Sequence, residues 1–485
     1  MQLAIVVVYF ALTIAVGFYA KGKSGSSHAF TGASLSVFMI VSASAGEWLG
    51  GNSTTGVSEY GFDFGISGAW FTIANGIGII FFAFCFAKLY RSMNSPTVPG
   101  IIGAFLGVKA RTVSSVFLTF VMLAVGTSQM IAAGSLGASL VGMDFNVSVL
   151  VFGVIFIIYT LAGGMNAVAY TNLVHLITMY GGVILAIVLL LMKIGGVSGF
   201  VDGIASVEAA EGGNYFGMFS IGMPKVSSWV IASLLGACTA QAAIQPVLAS
   251  KDVMSARRAS LITALVVAPF GLLTATLGMI AKVLSHNGQL LNVLGENVTN
   301  GKLAFPTLMM QLTPVAGGFV LAAMLAAVST VSPLILAAGT MLTKDIYQGV
   351  FRPDADDKRM LLVSRITTAI SGLVCCGLAI FFNASGIRVL DIVYFAYSMR
   401  GALFIVVLLG IYYKKTSERG AVYGMYATAA VGLFWVIYNA ATGHFPIHPA
   451  FSETYAAVIV AFVTTLLFSR VFPDKTERQR PAILR

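Results

Sequence analysis

Long apolar stretches alternate with short polar ones along the whole chain. A membrane-spanning helix needs about 20 mostly apolar residues. Thirteen such stretches occur, near 2–19, 34–56, 64–87, 113–141, 147–163, 169–194, 226–249, 259–284, 306–341, 361–383, 388–412, 420–441 and 452–470. The pattern predicts an all-α membrane protein with about 13 transmembrane helices, in which residues 1–485 form a single polytopic membrane domain.

Composition agrees with this prediction. Of the 485 residues, 58% are hydrophobic and 9% are charged, whereas soluble domains average about 25% charged residues. The polar stretches are too short for a soluble domain, and the net charge of +10 reflects basic loops rather than nucleic-acid binding. We therefore expect a lipid bilayer and a small-molecule solute as partners, with no nucleic acid and no obligate protein partner.

The distribution of basic residues predicts the orientation. With the N-terminus outside, the inner loops and the C-terminal tail hold 21 of the 28 Lys and Arg residues. Cytoplasmic loops carry such an excess. We predict a plasma-membrane protein with its N-terminus outside, its C-terminus in the cytoplasm and a basic tail at 471–485. Lys21 and Lys23 follow the first apolar run, the reverse of a signal peptide, so we expect helix 2–19 to be retained.

Two spans contain helix-breaking residues. In the first, four glycines surround one acid and four small polar residues: Gly46, Glu47, Gly50, Gly51, Asn52, Ser53, Thr54, Thr55 and Gly56. This composition favours a discontinuous helix whose freed carbonyls bind a cation or a solute. Close helix packing through small residues is the alternative. The second interruption, from Gly236 through Pro246, comes five spans later, where an inverted repeat places the counterpart.

A hydroxyl pair interrupts another apolar span. Ser329 and Thr330 follow Ala326 by three and four residues, so a helix would bring the Ala326 carbonyl and both hydroxyls within one turn. Oxygen ligands of this kind suit a small hard cation. Alternatively, the hydroxyls bond to carbonyls one turn earlier or pack helix against helix.

Arg400 lies midway along its predicted span. A buried guanidinium can bind a solute carboxylate with two parallel hydrogen bonds. It can equally form a fixed pair with Glu47 or Asp391, and the sequence spacing does not decide between these roles.

Four motifs in order resemble those of the solute:sodium symporter family, and the resemblance runs nearly end to end. They are Tyr159–His175 with its Gly-Gly and Ala-Val pairs, Ala326–Thr330, Asp345-Ile-Tyr347, and Leu409–Ala421 with its aromatic and basic residues. The resemblance implies a 5+5 inverted-repeat core of the leucine-transporter (LeuT) type at 34–412. One extra helix at 2–19 precedes this core, and two at 420–470 follow it.

The same resemblance implies sodium-coupled symport of a small polar solute by alternating access. Its sodium site is formed by carbonyls of the first core helix and by a carbonyl and two hydroxyls of the eighth. In this chain these groups fall on Gly46, Leu49, Ala326, Ser329 and Thr330. Six side chains are solute candidates: Glu47, Asn52, Ser53, Gln241, Gln245 and Arg400. Arg400 favours a carboxylate or an amino acid.

The chain departs from the family pattern at four positions. Asn172 replaces a common Asp, which argues against a second ion there, and His175 replaces a Gln. Trp48 stands where some relatives carry Asp, and Pro246 where others carry a basic residue. Proton coupling through Glu47 or His175 is therefore the rival to sodium coupling.

Other classes of protein fit the sequence less well. A channel would carry a ring of acids or repeated carbonyl-lining motifs, and a membrane sensor would carry a soluble signalling domain. An enzyme is not expected, because no paired acids, His/Cys cluster or phosphate loop lies at a membrane face.

Overall fold

In the described part of the computed structural model, eight helical segments are long and apolar enough to cross a membrane, or nine if a bent helix pair counts as one span. The structure describes residues 5, 8–9, 11–12, 15–16, 35–93, 95–141, 143–292, 295–312, 330–383 and 388–474, with 139–141, 159 and 162–168 described for the backbone alone. No β-strand occurs in these ranges, so the predicted all-α membrane fold is confirmed. The count of thirteen stays a prediction, because most of span 2–19 and about half of span 306–341 lie outside the described residues.

Eighteen helices of the described residues are numbered here in chain order. The first nine, α1–α9, are Val37–Trp48, Val57–Phe64, Trp70–Cys85, Ala87–Ser92, Val98–Leu106, Val108–Val141, Phe145–Lys193, Gly196–Glu211 and Met223–Gly236. The next nine, α10–α18, are Gln241–Leu248, Val253–Val267, Phe270–His286, Gly301–Met310, Val331–Met341, Asp357–Asn383, Val389–Tyr412, Glu418–Thr442 and Glu453–Val471.

Two predicted span boundaries were wrong. The first core span does not end at 56, because a wide helical turn at Asn52–Gly56 leads directly into α2, which ends at Phe64. Helix α7 continues through the predicted boundary at Gly163-Gly164 and covers both adjacent spans. Glycine lowers helix propensity by only about 1 kcal/mol relative to alanine, which neighbouring packing can outweigh.

Polar side chains fix where several helices begin. Ser36 accepts a hydrogen bond from the Met39 amide at 3.4 Å and starts α1. Thr97 accepts one from the Gly100 amide at 3.1 Å and starts α5. Such caps satisfy amides that have no partner inside the helix. The short cap residues before these apolar runs therefore determine where the helices start.

Burial divides the spans into inner and outer helices. About four fifths of the α16 span is buried, whereas α15, α17 and α18 bury a third of theirs. Large apolar side chains such as Leu265 and Phe381 face outward. A surface of this kind is compatible with lipid rather than water. The inner helices therefore carry the residues available for a central site.

Helices α2 and α12 pack with their backbones in contact. A Cβ at Gly61 would lie 2.4 Å from the Ala275 carbonyl oxygen, and one at Gly278 would lie 2.2 Å from the Ser58 oxygen. Close approach through small residues is typical of helix pairs in membranes. This contact anchors the second half of the first broken helix.

Candidate functional site

The first broken helix changes direction at Leu49. This residue takes an extended conformation, with φ −103° and ψ 91°, directly after α1. The last carbonyls of a helix have no partner within it. The Gly50 carbonyl accepts from the Ser53 and Thr54 amides, each at 3.1 Å, and from the Ser53 hydroxyl at 2.9 Å. The predicted discontinuous helix is thus present, and α1 ends at Trp48 in the buried part of the fold.

Thr330 lies beside this break. It precedes α14 and is buried, and its Oγ1 atom is 2.3 Å from the position that a Cβ on Gly50 would occupy. Of the predicted sodium ligands, Gly46 and Leu49 therefore lie at the end of α1 and Thr330 lies opposite the break. Ala326 and Ser329 lie outside the described residues.

Asn172 of α7 packs on the same end of α1. A Cβ on Gly46 would lie 1.9 Å from the Asn172 Nδ2 atom, so the lack of a side chain at Gly46 makes room for this amide. The Asn172 side chain is 2% exposed. Asn172, which replaces the Asp common in the family, therefore contacts Gly46, one of the predicted sodium ligands.

A buried ion pair joins the first broken helix to α16. Arg400 Nη1 donates to Glu47 Oε1 at 3.1 Å, and both side chains are fully buried. Of the three roles left open for Arg400, the structure shows a pair with Glu47. Asp391 lies elsewhere and contacts Lys225 at 3.3 Å.

Arg400 also contacts the second broken helix. The helical segment Met223–Thr239, which contains α9, and helix α10 are bent by 42° relative to each other at Ala240. The Thr239 hydroxyl donates to the Arg400 carbonyl at 2.6 Å, and a Cβ on Gly236 would lie 3.0 Å from Arg400 Nε. Both breaks therefore meet at one arginine.

Aromatic rings surround the guanidinium. Its central carbon lies 3.5 Å from the Tyr397 ring centroid and 4.8 Å from the Trp48 ring centroid. Rings at these distances stabilise a cation. Within the described residues, Arg400 Nε and Nη2 and Glu47 Oε2 have no hydrogen-bond partner. Two donor atoms of Arg400 and one acceptor atom of Glu47 can therefore form hydrogen bonds with a bound molecule.

The solute candidates of the first break contact two other helices. Asn52 Oδ1 accepts from the Ser128 hydroxyl of α6 at 2.9 Å. The Ser53 carbonyl accepts from the Thr274 hydroxyl of α12 at 2.7 Å. These bonds hold the turn Asn52–Gly56 in place between α6 and α12.

The two glutamines of the second break contact a different part of the chain. Gln241 Oε1 accepts from the Val98 amide at 2.7 Å, and Gln241 Nε2 donates to Gln245 Oε1 at 3.3 Å. Gln245 Nε2 in turn donates to the Thr340 hydroxyl at 3.5 Å. These bonds link α10 to the start of α5 and to α14, and place both glutamines toward the predicted cytoplasmic side of the break.

A cluster of charged residues and one tyrosine lies at the predicted outer end of the site. The outer ion cluster consists of Glu59, Tyr60, Asp63, Lys225, Arg388 and Asp391. Asp391 Oδ1 accepts from the Tyr60 hydroxyl at 2.8 Å, and the Lys225 ammonium lies 2.6 Å from that hydroxyl. Arg388 lies 2.7 Å from Asp63. The cluster connects α2, α9 and the start of α16.

A second cluster lies at the predicted cytoplasmic end. The inner ion cluster consists of Thr97, Arg111 and Asp345. Arg111 Nε lies 2.7 Å from Asp345 Oδ1, which also accepts from the Thr97 hydroxyl at 3.0 Å. The Asp345 side chain is fully buried. This cluster connects the start of α5 to α6 and to the wide helical segment Leu342–Phe351 that follows α14.

His175, which with Glu47 was a candidate for proton coupling, contacts the first predicted span. Its Nδ1 atom is hydrogen-bonded to the Tyr9 hydroxyl, and its ring is buried. This contact connects residue 175 of α7 to the first predicted span.

Sequence reasoning missed Gln129 of α6. Its side chain is fully buried, and neither amide atom has a hydrogen-bond partner in the described structure. Its Nε2 atom lies 2.2 Å from the position of a Cβ on Gly50, where the Thr330 hydroxyl also lies. A polar residue inside an otherwise apolar span was the signal that could have found it.

Two discontinuous helices that contact one buried arginine in an all-α membrane fold are typical of secondary transporters. Solved structures share this fold. The chain matches a substrate-bound, outward-open Na+-coupled sialic acid symporter with a TM-score of 0.79, at 17% identity over 98% of this chain and 99% of that one. Mhp1, a nucleobase-cation-symport-1 family transporter in a closed conformation, matches with a TM-score of 0.58 at 12% identity over 94% and 97%.

The chain belongs to the sodium:solute symporter family, whose model matches residues 29–428. It is 24% identical to a sodium/glucose cotransporter of Vibrio parahaemolyticus over 88% of this chain and 83% of that protein. It is 26% identical to the high-affinity proline transporter PutP of Bacillus subtilis over 85% and 87%. The predicted family and the predicted sodium-coupled symport of a solute are confirmed.

Proposed function

We propose that one sodium ion binds between α1 and the residues that precede α14. Its ligands are the Gly46, Leu49 and Ala326 carbonyls and the Ser329 and Thr330 hydroxyls. The observation that carries this proposal is the position of the Thr330 hydroxyl beside Gly50, next to the carbonyl end of α1. Carbonyl and hydroxyl oxygens suit a small hard cation. Asn172 supplies a neutral amide beside Gly46, which supports a single ion at this end of α1.

The transported solute is a small polar molecule with a carboxylate, and an amino acid is the leading class. Arg400 supports this class, because its Nε and Nη2 atoms have no partner within the described residues while Nη1 holds Glu47. A carboxylate accepts two parallel hydrogen bonds from a guanidinium. Asn52 and Ser53 face the solute from the first break, with Gln241 and Gln245 on the side of the second.

Transport follows alternating access in the plasma membrane, with the N-terminus outside. Sodium and solute enter while the outer ion cluster is open and leave while the inner ion cluster is open. One inward charge contributes about 2.3 kcal/mol per 100 mV, which corresponds to roughly 50-fold accumulation before the ion gradient is added.

Uptake into proteoliposomes tests this function. Purified protein is given pooled radiolabelled amino acids, carboxylates, sugars and vitamins with an inward sodium gradient, a proton gradient, or neither. L-Proline and D-glucose are included because two relatives are named for them. We expect accumulation of a carboxylate-bearing component with sodium alone. Accumulation with protons alone would overturn the sodium site, and accumulation of sugars alone would overturn the carboxylate.

Two substitutions test the ion ligands. Ser329→Ala and Thr330→Ala should each raise the sodium concentration required for half-maximal uptake, because each removes one oxygen ligand. Thr428→Ala is the matched control, since this buried hydroxyl bonds only within α17, to the Gly424 carbonyl at 2.7 Å. An unchanged sodium response in both site variants would refute the assignment.

A further inference from the structure

We propose that Gln129 contacts the transported solute directly and places it next to the sodium ion. Three observations lead to this residue. Its amide is fully buried, it has no hydrogen-bond partner among the described residues, and it faces the first break at Gly50. The inference rests on the proposed function, because it adds a contact to the same site.

The energetic argument begins with the missing partners. A buried amide without hydrogen bonds is unfavourable, and such groups are rare in folded proteins. Gln129 has both a donor and an acceptor unpaired. A bound molecule that carries both an acceptor and a donor would satisfy the two atoms together. An amino acid, with its carboxylate and ammonium groups, is such a molecule.

The position of Gln129 places its amide beside the proposed sodium ligand and the first break. Gln129 Nε2 and Thr330 Oγ1 lie 2.2 and 2.3 Å from one point, the missing Cβ of Gly50, so the two atoms are within about 4.5 Å of each other. The adjacent Ser128 hydroxyl bonds to Asn52, a solute candidate, at 2.9 Å. Residues 128 and 129 of α6 therefore face the break together, one contacting Asn52 and one approaching the proposed sodium ligand.

The absence of a side chain at Gly50 gives Gln129 its access to this position. Any Cβ there would overlap both the Gln129 amide and the Thr330 hydroxyl. These two groups fill the space themselves, so a solute group bound to the Gln129 amide would lie next to the Thr330 hydroxyl. The sodium at Thr330 and the solute at Gln129 would then be neighbours, so that binding of one can change the affinity for the other.

Accessibility of residue 129 tests the proposal without knowledge of the solute. Gln129→Cys is made in a background with Cys85→Ser, Cys238→Ser, Cys375→Ser and Cys376→Ser. The variant is labelled in proteoliposomes with 2-aminoethyl methanethiosulfonate, with and without sodium. Thr119→Cys is the control, since Thr119 is buried on the same helix about 15 Å away. We expect labelling at 129 that changes with sodium and none at 119. No labelling at 129 in either condition would overturn the proposal.

Uptake by Gln129→Met provides the second measurement. Methionine has a similar shape and lacks both amide groups, so the fold should be retained while the solute loses its hydrogen bonds. We expect the KM for the pool component that wild type accumulates to rise about tenfold or more, with the stabilisation of the purified protein by sodium alone unchanged. An unchanged KM would overturn the solute contact, whereas lost stabilisation by sodium would assign Gln129 to the ion instead.

Failure of this inference is distinguishable from failure of the proposed function. If Ser329→Ala and Thr330→Ala both leave the sodium response unchanged while Gln129→Met raises the KM, the sodium site is wrong and the solute contact stands. If Thr330→Ala weakens the sodium response and Gln129→Met changes nothing, the sodium site stands and the solute contact is wrong.

Discussion

Glu47 and Arg400 form an ion pair at 3.1 Å although 353 residues separate them and neither side chain is exposed. The pair joins the first broken helix to α16, and Arg400 also contacts the second break. Transfer of two charges into an apolar interior is costly, and removal of one partner leaves the other charge uncompensated.

Single substitutions in this pair should therefore destabilise the protein more than the double substitution. We expect Glu47→Gln and Arg400→Gln each to lower the stability by about 3–5 kcal/mol, and the combined variant to recover most of the loss. Thermal unfolding of the purified protein in detergent measures this. Single variants as stable as wild type would show that the pair does not hold the two helices together.

Uptake by the double variant separates the two roles of Arg400. If the guanidinium only neutralises Glu47, the double variant regains transport along with stability. If Arg400 also binds the solute carboxylate, the double variant is stable and its KM for a carboxylate-bearing solute is raised. We expect the second result, because two guanidinium nitrogen atoms remain unpaired within the described residues.

Gly46→Ala should weaken sodium-dependent uptake, because the new Cβ would overlap Asn172 Nδ2. The obstacle is a side chain rather than backbone, so adding Asn172→Ala should restore uptake. Sodium titration of uptake compares the single and double variants. Gly377→Ala is the control, since nothing lies within 4 Å of a Cβ at that position. A double variant no better than Gly46→Ala alone would contradict the proposed contact.

Asp391→Asn should favour the outward-open state, because it weakens the contacts with Tyr60 and Lys225 that connect α16 to α2 and α9. We expect a lower sodium concentration for half-maximal binding, since the site is open to the outside for more of the time. Sodium-dependent thermal stabilisation measures this binding. Asp202→Asn, an exposed residue of α8, is the control. A higher half-maximal concentration would contradict the role of this cluster as an outer closure.

Arg111→Gln should loosen the predicted cytoplasmic end, because it leaves the buried Asp345 carboxylate with Thr97 but without its ion-pair partner. We expect faster efflux of solute from preloaded proteoliposomes and a lower unfolding temperature. Arg359→Gln, an exposed residue at the start of α15, is the control. Efflux equal to that of wild type, with reduced stability alone, would restrict the inner ion cluster to a structural role.

The sequence predicted the breaks because they depend on local composition. Glycines with Asn52 and Ser53 mark one break, and Gly236 with Pro246 marks the other. Charge on the loops and the length of the apolar runs likewise predicted the membrane fold. The boundary at Gly163-Gly164 was wrong, because α7 is continuous there and two glycines lower helix propensity only modestly.

Long-range partners could not be read from the sequence. The spacing left three roles open for Arg400, because its partner Glu47 is distant along the chain. Gln129 was missed for a related reason: a single amide in an apolar helix gains meaning only when Gly50 and Thr330 are known to face it. The placement of Ala326 and Ser329 stays a prediction.

The outer and inner ion clusters differ in their contact with water. Both side chains of the Lys225–Asp391 pair are partly exposed, at 36% and 44%, whereas in the inner pair Arg111 is 34% exposed and its partner Asp345 is fully buried. Dissolved salt screens exposed pairs, with a Debye length of about 8 Å at physiological ionic strength, and screens buried ones much less. Sodium chloride should therefore act on this protein in two ways, as the transported ion at the proposed site beside Thr330 and as an electrolyte that weakens the outer ion cluster. A sodium titration at constant ionic strength, balanced with choline chloride, isolates the first action, and choline chloride alone reveals the second.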